Sequence, residues 1–245
     1  MYSVVHDDLG YRKVCSRWVP RQLSDDHKHA WQTICQEHLD RHVREGDAFL
    51  HRIVTGDESR VYHYEPESKR QSMQWKHPLS LANKKFKTQA SAGKVMLTIF
   101  WDVNGPMLLH FQGKGQTATC ARYSDLLVNE LKHTIRSKCQ GLLSNSVLLL
   151  HNNTHPHTAV HTLRALKFEV LKHPPYSLDL APLDFHLFGP MKVHLLCQTF
   201  ADDKVMEAVQ SWLKATSKSF CLQGIRKLVD RWTKCVAKQG DYVEK

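Results

Sequence analysis

Apolar residues recur along the chain with two different periods. Between Ser24 and Gly46 they fall at Ala30, Trp31, Ile34, Cys35, Leu39 and Val43, the spacing of one face of a helix. Ser24 is suited to an N-cap, Asp25 and Asp26 sit at the positive end of that helix, and Gly46 ends it. Glu37 and Arg41 are expected to pair across one turn, and His27, His29, His38 and His42 to lie in solvent. After Gly46 the period shortens. Phe49 to Thr55 reads as a strand closing at Gly56-Asp57-Glu58, and Arg60 to Tyr64 as the next strand. Val95 to Trp101 and Met107 to Phe111 follow, joined by the hairpin turn Asn104-Gly105. Leu126, Leu127, Leu131 and Ile135 mark a helix from Tyr123 to Arg136. The run Val147 to Leu150 has the character of a buried central strand and breaks abruptly into polar residues. A helix from about Thr158 to Leu166, a strand at Phe168 to Leu171, and helical stretches over 184–196 and 203–236 complete the reading.

Antiparallel strands first, then strand, helix, strand and helix, predict an α/β fold. It is a mixed sheet flanked by helices, with an N-terminal linker and helix and C-terminal helices. Residues 1–23 are too short to hold a core and read as a linker remnant; residues 24–245 read as one domain. Residues 69–93 fit neither period and predict a long functional loop. No apolar run approaches the roughly 18 residues needed to cross a bilayer, and no signal peptide opens the chain. The expectation is an intracellular protein without a membrane partner. The seven cysteines are odd in number and form no CxxC pair, which points to reduced packing residues rather than a zinc site.

The net charge of +10 favours phosphate-rich partners, because neutralising phosphates releases counterions. Its distribution sharpens this. From Lys69 to Trp101 there are seven Lys/Arg, Lys84, Lys85 and Lys87 among them, and no Asp or Glu. Near the start, Arg12, Lys13, Arg17 and Arg21 surround Tyr11 and Trp18, a composition suited to touching a DNA backbone.

The candidate chemistry lies at strand ends. If the first and fourth strands are neighbours, Asp57 and Asn152 face each other, and Asp184 can close a three-ligand oxygen site. Phosphodiester cleavage uses such a cluster to hold two Mg²⁺. The rival readings are local. His151, His155 and His157 offer a set of imidazoles to a transition metal. Asp179 lies in a Pro/Ser-rich turn, where a capping role competes with a ligand role. Glu58 and Asp102 read as structural.

Several stretches together resemble mariner (Tc1/mariner) family transposases, as in the transposase half of SET-domain/mariner fusions. They are Asp8 to Cys15, Trp18-Val19-Pro20-Arg21, Thr55-Gly56-Asp57-Glu58, Lys69 to Trp75, Gly115-Gln116-Thr117 and His151 to His157. His173-Pro174-Pro175-Tyr176-Ser177, Asp184-Phe185-His186-Leu187-Phe188 and Gln239 to Lys245 continue the match. The resemblance spans nearly the whole chain. It implies an RNase H-like fold, a nuclear protein, DNA as partner, Mg²⁺ or Mn²⁺ as cofactor, and cleavage and joining of transposon ends. A homodimer is left open, and no small-molecule substrate is expected. Asp57 matches the first catalytic Asp and Asp184 the third. Asn152 stands where the family has its second Asp, which implies weak metal binding and impaired cleavage, since an amide brings no charge. Thirty-one residues separate Asn152 from Asp184, three fewer than in the family pattern, which threatens to displace Asp184. Leu178 replaces a family Pro and His155 a usual Arg. The family's helix-turn-helix modules precede the Trp18-Val19-Pro20 linker, so their absence here implies loss of specific end recognition.

Overall fold

A computed structural model describes residues 7–8, 19–66, 89, 91, 93–113, 116, 119–139, 141–144, 146–152, 166, 168–201 and 204–243. Outside the described residues lie most of the 69–93 loop, the expected helix before Leu166, and Arg12, Lys13, Arg17, Lys84, Lys85, Lys87, His155 and His157.

Five strands form one mixed sheet: β1 (Ile53–Tyr62), β2 (Lys94–Asp102), β3 (Gly105–Gln112), β4 (Leu148–His151) and β5 (Glu169–Val170), in the order β3-β2-β1-β4-β5. β1 is antiparallel to β2, β2 to β3, and β1 and β5 flank β4 in parallel. Asp102 caps the β2–β3 turn, its Oδ1 accepting from Asn104 N at 2.7 Å and Gly105 N at 3.2 Å. The β1 strand differs from the sequence reading. Phe49 and Leu50 belong to a short helix, α2 (Asp47–His51), and β1 runs unbroken through Gly56, Asp57 and Glu58. Gly56 does not end the strand. A Cβ there would lie 2.3 Å from Phe100 Cε1, so the missing side chain lets an aromatic ring from β2 close over the strand.

Side chains alternate between the two faces of a strand, and this sorts the core. Ile53, Leu148 and Leu150 pack against α1 (Asp25–Glu45) and α7 (Lys218–Ala237), chiefly on Trp31, Cys35, Ile225 and Trp232. Further along the same face, Val61, Leu97, Ile99 and Trp101 meet the π-helical turn Leu183–Phe188, α5 (Gly189–Leu195) and α6 (Lys204–Ala215). The opposite face presents Val54, Phe100 and Leu149 to α3 (Cys120–Asp125), a π-helical stretch Leu126–Leu131 and α4 (Lys132–Lys138). Residues 203–236 are thus broken at Ser217, which caps α7 by accepting from Phe220 N.

The α1 helix has its expected cap at Ser24 and its stop at Gly46, whose φ is +61°. Its partners differ from expectation. Val43 is 83% exposed, and His38, expected in solvent, is buried with Nε2 2.8 Å from the Lys172 carbonyl. Arg41 pairs with Glu45 and with Glu169 of β5 instead of Glu37, and Glu37 takes Lys172 at 2.9 Å. β5 packs beside this flank of α1 and draws these side chains away from the solvent-facing pattern.

Candidate active site

β4 pairs with β1 only as far as Gly56 and His151. The next residue of each strand is therefore Asp57 and Asn152. Alternation puts Asp57 on the face of Ile53 and Val61, and Asn152 on the face of Leu148 and Leu150, which is the same face. Asn152 Nδ2 donates to Asp57 Oδ1 at 2.8 Å, and Glu58 N donates to the same oxygen at 2.8 Å. Asp57 is a strand end with respect to β4 and mid-strand with respect to β2, where it faces Ile99.

Asp184 enters this face in the first turn of the π-helical segment Leu183–Phe188, a geometry frequent at functional sites. Leu183, Leu187 and Phe188 are buried beneath it. Its carboxyl lies against that of Asp57. Burial and then repulsion from Asp184 push the Asp57 carboxyl up to about 8. Burial pushes Asp184 up to about 6, opposed by the contact with Asp57 and by Lys192. Near neutrality the pair holds a proton between two carboxyls that cannot both be charged cheaply.

These groups fit a divalent cation in part. Glu58 N and the Asn152 amide both donate to Asp57 Oδ1, and Asp184 Oδ2 is buried without a hydrogen-bond partner. A hard cation would satisfy these oxygens and remove the repulsion. Asn152 adds at most one neutral carbonyl oxygen, and its amide now faces Asp57 as a donor. The donor set suits one ion better than a closely spaced pair. Among the described residues no group of three or more His, Cys, Asp or Glu is arranged to hold a metal. The crevice here, about 10 Å³, is lined by Asp57, His151, Asn152 and His173. A wider groove of about 1230 Å³ lies by Asp102 and Met107, near the start of β1.

Residues 65–145 match the transposase (partial DDE domain) family model. Mariner Mos1 transposase of Drosophila mauritiana is 34% identical over 242 residues, covering 97% of this chain and 69% of that protein. The chain belongs to the mariner transposase family. Human histone-lysine N-methyltransferase SETMAR is 32% identical over 96% of this chain and 34% of that protein. The Mos1 catalytic domain superposes with a TM-score of 0.76 at 33% identity, over 93% of this chain and all of that one. The mixed sheet and its flanking helices are thus the RNase H-like fold of a mariner catalytic domain. Mos1 paired-end complexes have been solved with Mn and with Mg; the Mn complex matches with a TM-score of 0.87 at 34% identity, over 99% of this chain and 71% of that chain.

The other residues weighed in the sequence lie apart from these three. Glu58 points to the opposite face, towards Thr98 and His110. Asp179 accepts from Val243 N at 2.5 Å, tying down the C-terminal tail. Arg21 lies over the Tyr176 ring at 4.7 Å and donates to its hydroxyl at 2.7 Å. The sequence reading missed Lys192 beside Asp184, and His173. His173 Nε2 lies 3.0 Å from Ser177 Oγ, which donates to the Pro174 carbonyl (2.6 Å), bracing the loop that leads to Asp184. The His173-Pro174-Pro175-Tyr176-Ser177 motif was the available signal, but it carried no hint of a hydrogen-bond chain.

Proposed function

We propose that this mariner-family chain is a DNA-binding protein whose transposase centre, Asp57, Asn152 and Asp184, is catalytically impaired. Its unimpaired reaction would be cleavage of DNA and transfer of the cut strand. The observation that carries the reading is the Asn152 amide, which donates to Asp57 at 2.8 Å where the family has a carboxylate. Asp57 and Asp184 would hold Mg²⁺ or Mn²⁺, with Asn152 as a neutral third contact. A bound divalent ion would activate the attacking oxygen and stabilise the leaving one. This chain's own contributions are the two carboxyls, the proton they share until a cation displaces it, and Lys192, whose ammonium lies near Asp184 and suits a substrate phosphate. One missing carboxylate leaves two dications short of charge compensation.

The same reading makes residues 24–245 the catalytic unit and residues 1–23 a remnant of a DNA-binding domain and its linker. It assigns Arg12, Lys13, Arg17, Arg21, Lys84, Lys85 and Lys87 to the DNA backbone and the protein to the nucleus, and leaves a homodimer open. Nicking of a labelled duplex with Mg²⁺ or Mn²⁺ tests it. The parent is expected to cut at background level and Asn152→Asp to gain cutting that Asp57→Ala abolishes. Cutting by the parent that requires Asp57 would overturn the impairment.

A second reading, a purely non-catalytic DNA-binding or dimerisation module, is favoured by the net charge of +10. It predicts DNA affinity that falls steeply with salt and no cutting by Asn152→Asp.

A further inference from the structure

The last rung of the β1–β4 ladder is Gly56 with His151, so whatever holds that rung also holds Asp57 and Asn152, one residue beyond it. β1 is secured there by β2. On the outer side of β4, β5 pairs with Leu148 and Leu149. The end of β4 is gripped from the opposite face. Tyr123 and His151 are each 6% exposed, their rings lie 5.9 Å apart and 13° from parallel, and the Tyr123 hydroxyl is 3.2 Å from His151 Nδ1. Behind Tyr123, 6.5 Å between ring centroids, is Phe100, the ring that occupies the space a side chain at Gly56 would fill. Phe100, Tyr123 and His151 thus form a floor under both strands where they part.

We infer that Tyr123 is a positioning residue of the candidate active site. By holding His151 it holds Asn152 opposite Asp57, without itself touching DNA or a cation. The anchor is built into the sheet's other face, so it acts through one backbone link. Groups that orient a metal site without ligating it commonly change metal affinity by about 10–100-fold when removed. A hydroxyl acting at one remove belongs at the lower end of that range.

The inference rests on reading Asp57 and Asp184 as cation ligands, and the experiment separates the two. Mn²⁺ binding to the full chain is titrated by electron paramagnetic resonance for the parent, Asn152→Asp and Asn152→Asp/Tyr123→Phe, with a thermal melt of each. Phe retains the ring and loses only the hydroxyl. Asn152→Asp is expected to bind Mn²⁺ more tightly than the parent, and Tyr123→Phe to weaken that binding about tenfold while the melt stays cooperative. His151→Phe in the same background removes the hydrogen bond from its other end and is expected to give the same loss. Equal affinity with and without the hydroxyl overturns the positioning role and leaves the metal reading standing. No Mn²⁺ binding by Asn152→Asp overturns both.

Discussion

Asp57→Asn is expected to stabilise the metal-free protein. The Asp57 carboxyl is 8% exposed and pushed from an ordinary 3.8 up to about 8 by burial and by Asp184. In the unfolded chain it is ionised at pH 7; in the folded chain it holds a proton. The folded state therefore binds more protons than the unfolded one between about pH 4 and 8, so this group's effect makes stability fall as pH rises through that window. From 3.8 to neutrality is a little over three units, each worth about 1.4 kcal/mol, which sets a ceiling of about 4 kcal/mol. Sharing the proton with Asp184 lowers the figure to about 2–3 kcal/mol. The amide fits the geometry. Its Oδ1 keeps the bonds from Glu58 N and Asn152 Nδ2, and its NH₂ replaces the shared proton towards Asp184. Urea denaturation in EDTA at pH 5, 7 and 8 measures the difference, and a melting temperature about 5–10 °C higher should accompany it at pH 7. The advantage should shrink by more than half at pH 5. A variant no more stable than the parent at pH 7, or an advantage unchanged at pH 5, would refute the assignment of a strained carboxyl pair.

Two further outcomes follow from the packing. Gly56→Ala drives a methyl to 2.3 Å from Phe100 Cε1 and 2.5 Å from Cδ1, so it should cost about 1–3 kcal/mol. Phe100→Leu should recover part of that loss in a double-mutant cycle by denaturation. His173 is buried and lowered to about 4. It stays neutral in the folded state while the unfolded chain takes a proton below about 6.5, so stability should drop as pH falls from 6.5 towards 4, by up to about 3 kcal/mol. The Asp57→Asn background exposes this slope, because Asp57 contributes the opposite one, and His173→Gln should flatten it; a slope unchanged by His173→Gln would assign it elsewhere.

Periodicity alone, without tertiary contacts, determined most of the elements. The N-cap at Ser24, the stop at Gly46, the Asn104-Gly105 turn and the apolar run at Val147–Leu150 are local signals, set by backbone conformation and by residues a few positions apart. The motifs also named Asp57, Asn152 and Asp184, but motif matching could not supply their contacts. Only the fold decided that Gly56 continues a strand, because the ring that exploits its missing side chain comes from Phe100, on another strand. Only the fold turned His38 inward and Val43 outward, since the Lys172 carbonyl and β5 arrive from more than a hundred residues away. The pairing of Asp57 with Asn152 depends on where β4 stops against β1, and the Tyr123 anchor on a helix crossing the other face. Local conformational preference is written in neighbouring residues; burial, hydrogen-bond partners and shared protons depend on what distant segments bring within a few ångströms.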